Sequence, residues 1–240
     1  MKRFITSLKI FVAVLLLFAI TPIVATAEET NDQYLTFEKA TDIVTNEDIE
    51  NYKALSEEDI IDQKTAISEG YDEGDVLSKE DTLFLLTQAV VERQEQNEEI
   101  STKGIKSSKS FTVSKKKYGT KVTVKGTMYQ NIAFLAGTSS YRGNIIATRN
   151  SGKLKQVSLK TYHDSFGIIG WGGGFPSIGK VYGGKVSHKK VANAKRYAMD
   201  KTHRYNSIIP AYTTMWTKAS VVTKSNNAYD VASKTWSKWH

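Results

Sequence analysis

The sequence contains no cysteine. Disulfides, thiolate metal ligands and thiol nucleophiles are therefore excluded, and the fold must be held by its core or by a metal or partner. Acidic residues almost vanish from the C-terminal part: after residue 100 only Asp164, Asp200 and Asp230 occur. No G-x-S-x-G, H-E-x-x-H or P-loop is present. Histidine is limited to His163, His188, His203 and His240. His163 and Asp164 are adjacent, and neighbours on a strand point to opposite faces, so they do not form a dyad. Asp200-x-x-His203 supplies two metal ligands without a third nearby. These absences leave no catalytic residue, metal or cofactor to assign, and the chain reads as a non-enzymatic protein. A secreted hydrolase using His163 or His188 is the weakest alternative.

The apolar run Ile10–Ile20 follows the cations Lys2, Arg3 and Lys9. It is shorter than the roughly 20 residues that span a bilayer, and Ala25 and Ala27 supply the small residues a signal peptidase needs. Residues 1–27 therefore read as a Sec signal peptide cut before Glu28, and the protein is expected to be secreted or extracellular. Disulfide-free export suits a bacterial protein. About 213 residues (240 − 27) remain, room for one or two small domains.

The net charge of +8 hides a division. From Glu28 to Ile100 there are 22 Asp and Glu against 5 Lys and Arg, a net of −17. From Ser101 to His240 there are 25 Lys and Arg against three Asp, a net of +22. All four Trp and nine of twelve Tyr also lie after residue 100, a composition shift that marks two structural units.

The acidic segment 28–100 reads as helical. Thr45 or Asn46 caps a helix carrying Ile49, Tyr52 and Leu55, and Ser56-x-x-Asp59 and Ser78-x-x-Asp81 open two more. In the last, Leu83, Leu86, Ala89, Val90 and Val91 share a face, while Glu92, Arg93, Glu95, Glu98 and Glu99 point away. Such narrow apolar faces suit a segment that folds against a partner, and the basic half is the nearest candidate. Residues 101–109, small and polar, read as an exposed linker.

Residues 110–240 read as a basic all-β domain, an antiparallel sandwich or barrel. Val122, Val124 and Met128 alternate with Lys121, Thr123, Lys125 and Thr127. Short strand-like runs follow, divided by Tyr118-Gly119, Arg142-Gly143, Asn150-Ser151-Gly152 and Ser225-Asn226-Asn227. The stretch 188–205 is also compatible with a helix.

Two features suggest binding. Lysine supplies 21 of the 25 cations in the basic half, and a hydrated point charge suits diffuse contact with phosphate better than sequence-specific nucleic-acid recognition. Lys115, Lys116, Lys117, Lys153, Lys155, Lys185, Lys189 and Lys190 form the densest clusters, expected to contact an anionic cell-wall polymer or anionic lipid. The second feature is the uncharged stretch Ser165–Gly179, with Phe166, Ile168, Ile169, Trp171 and Phe175 among glycines. It reads either as a buried strand with a Gly-rich turn or as a membrane-contacting loop anchored by Trp171.

The layout resembles secreted prepro-proteins in which an acidic pro-region masks a basic mature domain, bacterial antimicrobial and toxin precursors among them, and the β-rich C-terminal part is similar to small β-sandwich bacteriocins. That resemblance implies removal of residues 28 to about 105. The alternative is an uncleaved envelope-associated module whose acidic helices stay packed on the sheet.

Overall fold

Each acidic helix begins where a side chain satisfies the free amides of its first turn. Thr45 caps α1 (Asn46–Ala54) in a capping box with Asp48. Ser56 caps α2 (Glu57–Gly70), accepting from the Asp59 amide at 3.1 Å. Ser78 does the same for α3 (Lys79–Gln96), accepting from Asp81 at 3.0 Å. The computed structural model describes residues 41–96, 105–133, 137–172, 175–206 and 210–239. The proposed signal peptide with Ala25, Ala27 and Glu28, residues 101–104 of the proposed linker, and the side chains of Trp171 and Phe175 lie outside the described residues.

The basic half forms two antiparallel sheets packed face to face as an unclosed β-sandwich. One sheet has the order β1-β2-β3-β6, from Ile105–Lys117, Thr120–Ile132, Thr138–Ser151 and Arg196–Asn206. The other has the order β5-β4-β7-β8, from Phe175–Lys190, Leu154–Gly172, Tyr212–Thr223 and Ala228–Ala232, and β9 (Trp236–Trp239) also pairs with β7. The core between the sheets follows the period of two. Val122, Val124 and Met128 face inward from β2, and Met215, Ala219 and Val221 from β7.

Along β4 and β7 the alternation stops. Every residue from Thr161 to Gly167 and from Tyr212 to Thr217 is buried, because the sandwich covers one face and the helices cover the other. Phe166, Ile178, Tyr212 and Trp239 form one cluster with Ile67, Leu77, Leu85, Leu86, Ala89 and Val90 of the acidic segment. The helices and both sheets belong to one compact unit, Tyr34–His240. The α2–α3 connection extends the sheet edge: Gly74 donates to the Lys180 carbonyl at 2.8 Å and Leu77 to that of Ile178 at 2.9 Å.

Three expectations change. Residues 105–109 are not linker but the start of edge strand β1, paired with Met128–Ile132. Polar side chains on both faces, Lys106 and Ser108 outward and Ser107 and Lys109 inward, conceal the strand. The helical alternative for 188–205 gives way to β6, where Tyr197, Met199 and Tyr205 turn inward between exposed neighbours. Finally, α3 is buried continuously from Leu85 to Val91, and Glu92 does not point away. It faces β9, accepting from the Ser237 amide at 2.8 Å and from the Thr235 hydroxyl, because α3 lies between α1 on one side and β9 and β5 on the other.

Candidate anion-binding end of the sandwich

Successive strands that run up and down return alternate connections to the same end, and here that end gathers lysines. The β1–β2 turn passes through Tyr118 (φ 49°) and Gly119 (φ 70°), the β3–β4 turn through Gly152 (φ 74°), and the β7–β8 turn through Asn226 (φ 63°). Gly152 is needed twice over: its φ is left-handed, and a Cβ there would lie 2.4 Å from Thr120 Oγ1. Hydrogen bonds tie the connections together. Lys224 N donates to Lys153 O at 3.0 Å and Arg149 N to Lys195 O at 2.8 Å. Leu154 N donates to Asn193 Oδ1 at 3.0 Å, and Tyr229 OH to Thr120 O at 3.1 Å.

Six of the eight lysines singled out from the sequence meet at this end: Lys116, Lys117, Lys153, Lys155, Lys189 and Lys190, all exposed. Exposed Lys121, Lys195, Arg196 and Lys224 and half-buried Arg149 join them. The segments 115–125, 147–157, 187–197 and 221–229 contain no Asp or Glu. Lys155 Nζ donates to Asn226 Oδ1 at 2.7 Å, and Lys117 Nζ sits 5.5 Å from the Tyr118 ring centre. Among the described residues, the exposed cations of this end form no ion pair with a carboxylate. Like charges this dense repel one another over distances below the Debye length, and a multivalent anion relieves that repulsion. Sequence reasoning passed over the five added cations because Lys121, Arg149 and Lys224 stand singly and the Lys195–Arg196 pair falls in the stretch 188–205 also compatible with a helix. Their shared signal is position, each lying in or beside a turn connecting two strands.

The other two lysines sit elsewhere, against the acidic helices. Lys115 pairs with Glu58 at 2.7 Å and Lys185 with Glu69 at 2.8 Å. Lys218 reaches Asp62 at 3.4 Å and Asp230 at 2.8 Å, and Lys234 reaches Glu57 at 3.0 Å. The hydrogen bond from Lys185, despite partial burial, holds the Glu69 carboxyl below its ordinary range.

Beneath the helices lies a buried charged cluster. One extra residue in β5, Val181, shifts the register between Ser165↔Tyr182 and Phe166↔Lys180. This bulge turns Lys180 toward the helices while Tyr182 enters the inter-sheet core. Lys180 Nζ lies 3.9 Å from Asp164 Oδ1 and donates to the Tyr71 carbonyl at 2.9 Å. Ser68 Oγ donates to Asp164 at 3.2 Å. Lys64 donates to Thr214 Oγ1 and lies 5.4 Å from the Trp216 ring centre, which stacks on Tyr162. Burial pushes the Asp164 carboxyl up to about 6 against the pull of Lys180, and pushes Lys64 down to about 8 against Glu92 and Asp164.

The stretch 165–179 spans the end of β4 and the start of β5. Phe166 is buried against Tyr212, ring centres 5.3 Å apart. Ile168 is half-buried beneath the helices, and Ile169 is 42% exposed. His163 is buried between the sheets with Nε2 2.8 Å from Tyr205 OH, on the face opposite Asp164. His188 is half-buried. Among the described residues no three His, Asp or Glu side chains are grouped to hold a metal. No family model matches this sequence, and no curated protein is significantly similar to it.

Proposed function

We propose that this is an exported, non-enzymatic binding protein that uses the lysine-rich end of its sandwich to hold an anionic polymer of the cell surface. The observation that carries the reading is the convergence of four acid-free connections, with Lys116, Lys117, Lys189 and Lys190 exposed among them. Lysine predominates over arginine there, which favours diffuse attraction to phosphate over bidentate recognition. Among the described residues the acidic helices pair with Lys115 and Lys185 but with none of Lys116, Lys117, Lys189 and Lys190, so the reading does not depend on their removal.

The test compares the intact protein with a variant carrying Lys116→Gln, Lys117→Gln, Lys189→Gln and Lys190→Gln. Binding to poly(glycerol phosphate), phosphatidylglycerol vesicles and duplex DNA is measured in parallel. The reading expects poly(glycerol phosphate) binding by the intact protein and a large loss in the variant. Equal binding by both proteins would refute it.

A second reading, the acidic segment as a removable counter-charge, is favoured by the Lys115–Glu58 and Lys185–Glu69 pairs. Intact mass of the secreted protein decides it. A single stable species beginning at Glu28 rules out processing, whereas one beginning near residue 105 supports it.

A further inference from the structure

The outer face of the β1-β2-β3-β6 sheet is built unlike the lysine-rich end. Between Lys116 and Lys106 the outward side chains of β1 are Ser114, Thr112, Ser110 and Ser108. Opposite them on β2 stand Thr123, Lys125, Thr127 and Tyr129. Ser110 and Thr127 are linked at 2.9 Å, and Ser114 and Thr123 at 2.7 Å. This face presents hydroxyls.

At the far end of this face is a shallow groove of about 380 Å³, lined by Lys106, Ser108, Tyr129, Gln130, Asn131 and Arg142 among others. Tyr129 is 36% exposed. On one side of it stands Arg142, its guanidinium 5.4 Å from the ring centre and fixed by two hydrogen bonds to Asp200, both 2.6 Å. On the other side the cross-strand partner is the small Ser108, which leaves room beside the ring. The Gln130 side chain turns the other way, into the core between the sheets, where its Oε1 accepts from the Thr213 hydroxyl at 3.0 Å. An accessible aromatic ring, the Asn131 amide, and the hydroxyls of Ser108, Ser140 and Thr202 along one groove match the chemistry of a sugar: an apolar ring face edged by hydroxyls.

We propose that this groove is a saccharide subsite, so that the ligand is a phosphate polymer bearing sugars and lies along the outer sheet face. The inference rests on the polyanion reading above. Tyr129 and Lys121 are eight residues apart on β2, about 27 Å at the rise of an antiparallel strand. A polymer chain of several units is therefore required to reach both, with its phosphates at the lysines and a sugar beside Tyr129.

The experiment uses the full-length exported protein and two probes: poly(glycerol phosphate) carrying N-acetylglucosamine, and the same polymer stripped of sugar. The wild-type protein is expected to prefer the glycosylated polymer by about fivefold, the scale of one aromatic contact. Tyr129→Ala removes that preference and leaves affinity for the stripped polymer unchanged, while Tyr129→Phe keeps most of it. Equal wild-type affinity for the two polymers, or a preference that survives Tyr129→Ala, overturns the subsite and leaves the polyanion reading standing. Failure to bind either polymer overturns both.

Discussion

Trp239, on the last strand, donates its indole N–H to the carbonyl of Ala89 in α3 at 3.2 Å. This bond joins the basic half to the acidic one across 150 residues of sequence. Its surroundings are apolar: Tyr212, Phe166, Leu86 and Val90 belong to the same buried cluster. Burial of this kind is non-directional and largely insensitive to salt, unlike the opposite net charges of the two halves. The acidic helices are held chiefly by their apolar faces.

Trp239→Ala should therefore be costly. Its side chain is 8% exposed, and deleting a buried aromatic residue typically costs about 3–5 kcal/mol. Urea unfolding monitored by circular dichroism measures the loss. A change below about 1 kcal/mol would place the helices' attachment elsewhere.

The surface ion pairs should matter little. Glu58→Gln and Glu69→Gln each remove a pair whose partners are substantially exposed, and such pairs contribute about 0.2–1 kcal/mol. The double variant is expected to unfold within about 2 kcal/mol of the wild type, by the sum of those limits. A larger loss would mean that Coulomb attraction between the halves holds the helices down.

Asp164 behaves differently because it is buried between two lysines. Asp164→Ala leaves Lys64 and Lys180 under the helices without their shared carboxylate, and breaking a buried pair costs roughly 3–5 kcal/mol. Unfolding in urea at pH 7 measures it. A neutral outcome would show that water or backbone carbonyls already satisfy both ammonium groups.

The same carboxyl gives a pH signature. Its folded pKa, about 6, exceeds the ordinary 3.8, so the folded state binds this proton more tightly than the unfolded one. Its contribution to stability is full below 3.8 and is lost as pH rises through 6. Lys64 is shifted the other way, from 10.5 to about 8, so its contribution grows as pH rises above 8. Glu69 opposes Asp164, because its depressed pKa costs stability as pH falls below the ordinary 4.5. Comparing wild type with Asp164→Asn isolates the carboxyl. The wild type's stability relative to the variant should fall between pH 4 and pH 6, the window of the Asp164 shift, and then level off. A constant difference would contradict the burial of an ionisable Asp164.

Much of this was legible locally. Ser56 and Ser78 announced their helices because a cap needs only the next few residues, and Val122, Val124 and Met128 announced an inward strand face. What depended on tertiary contact was not legible. Lys64 and Lys180 look like surface lysines in sequence, and only the helix cover and the Val181 bulge bury them. The strand beginning at Ile105 was hidden because Ser107 and Lys109, on its core-side face, are polar, and the apolar period starts only at Phe111 and Val113. The lysine-rich end was half legible: the clusters at Lys116, Lys153 and Lys189 stood out, but their meeting is a property of the strand order in the two sheets. Glu92 was misread because one helical face was assumed to be wet.

The most direct test of the central claim is the salt dependence of poly(glycerol phosphate) binding by the intact protein and by the variant with Lys116, Lys117, Lys189 and Lys190 changed to Gln. If those lysines hold phosphates, bound counterions are released on association. The log–log slope of affinity against salt is then steeply negative for the wild type and shallower in the variant by about 0.7 per lost contact, taking the value for flexible single-stranded nucleic acid. Identical slopes for the two proteins would show that the anion is held elsewhere.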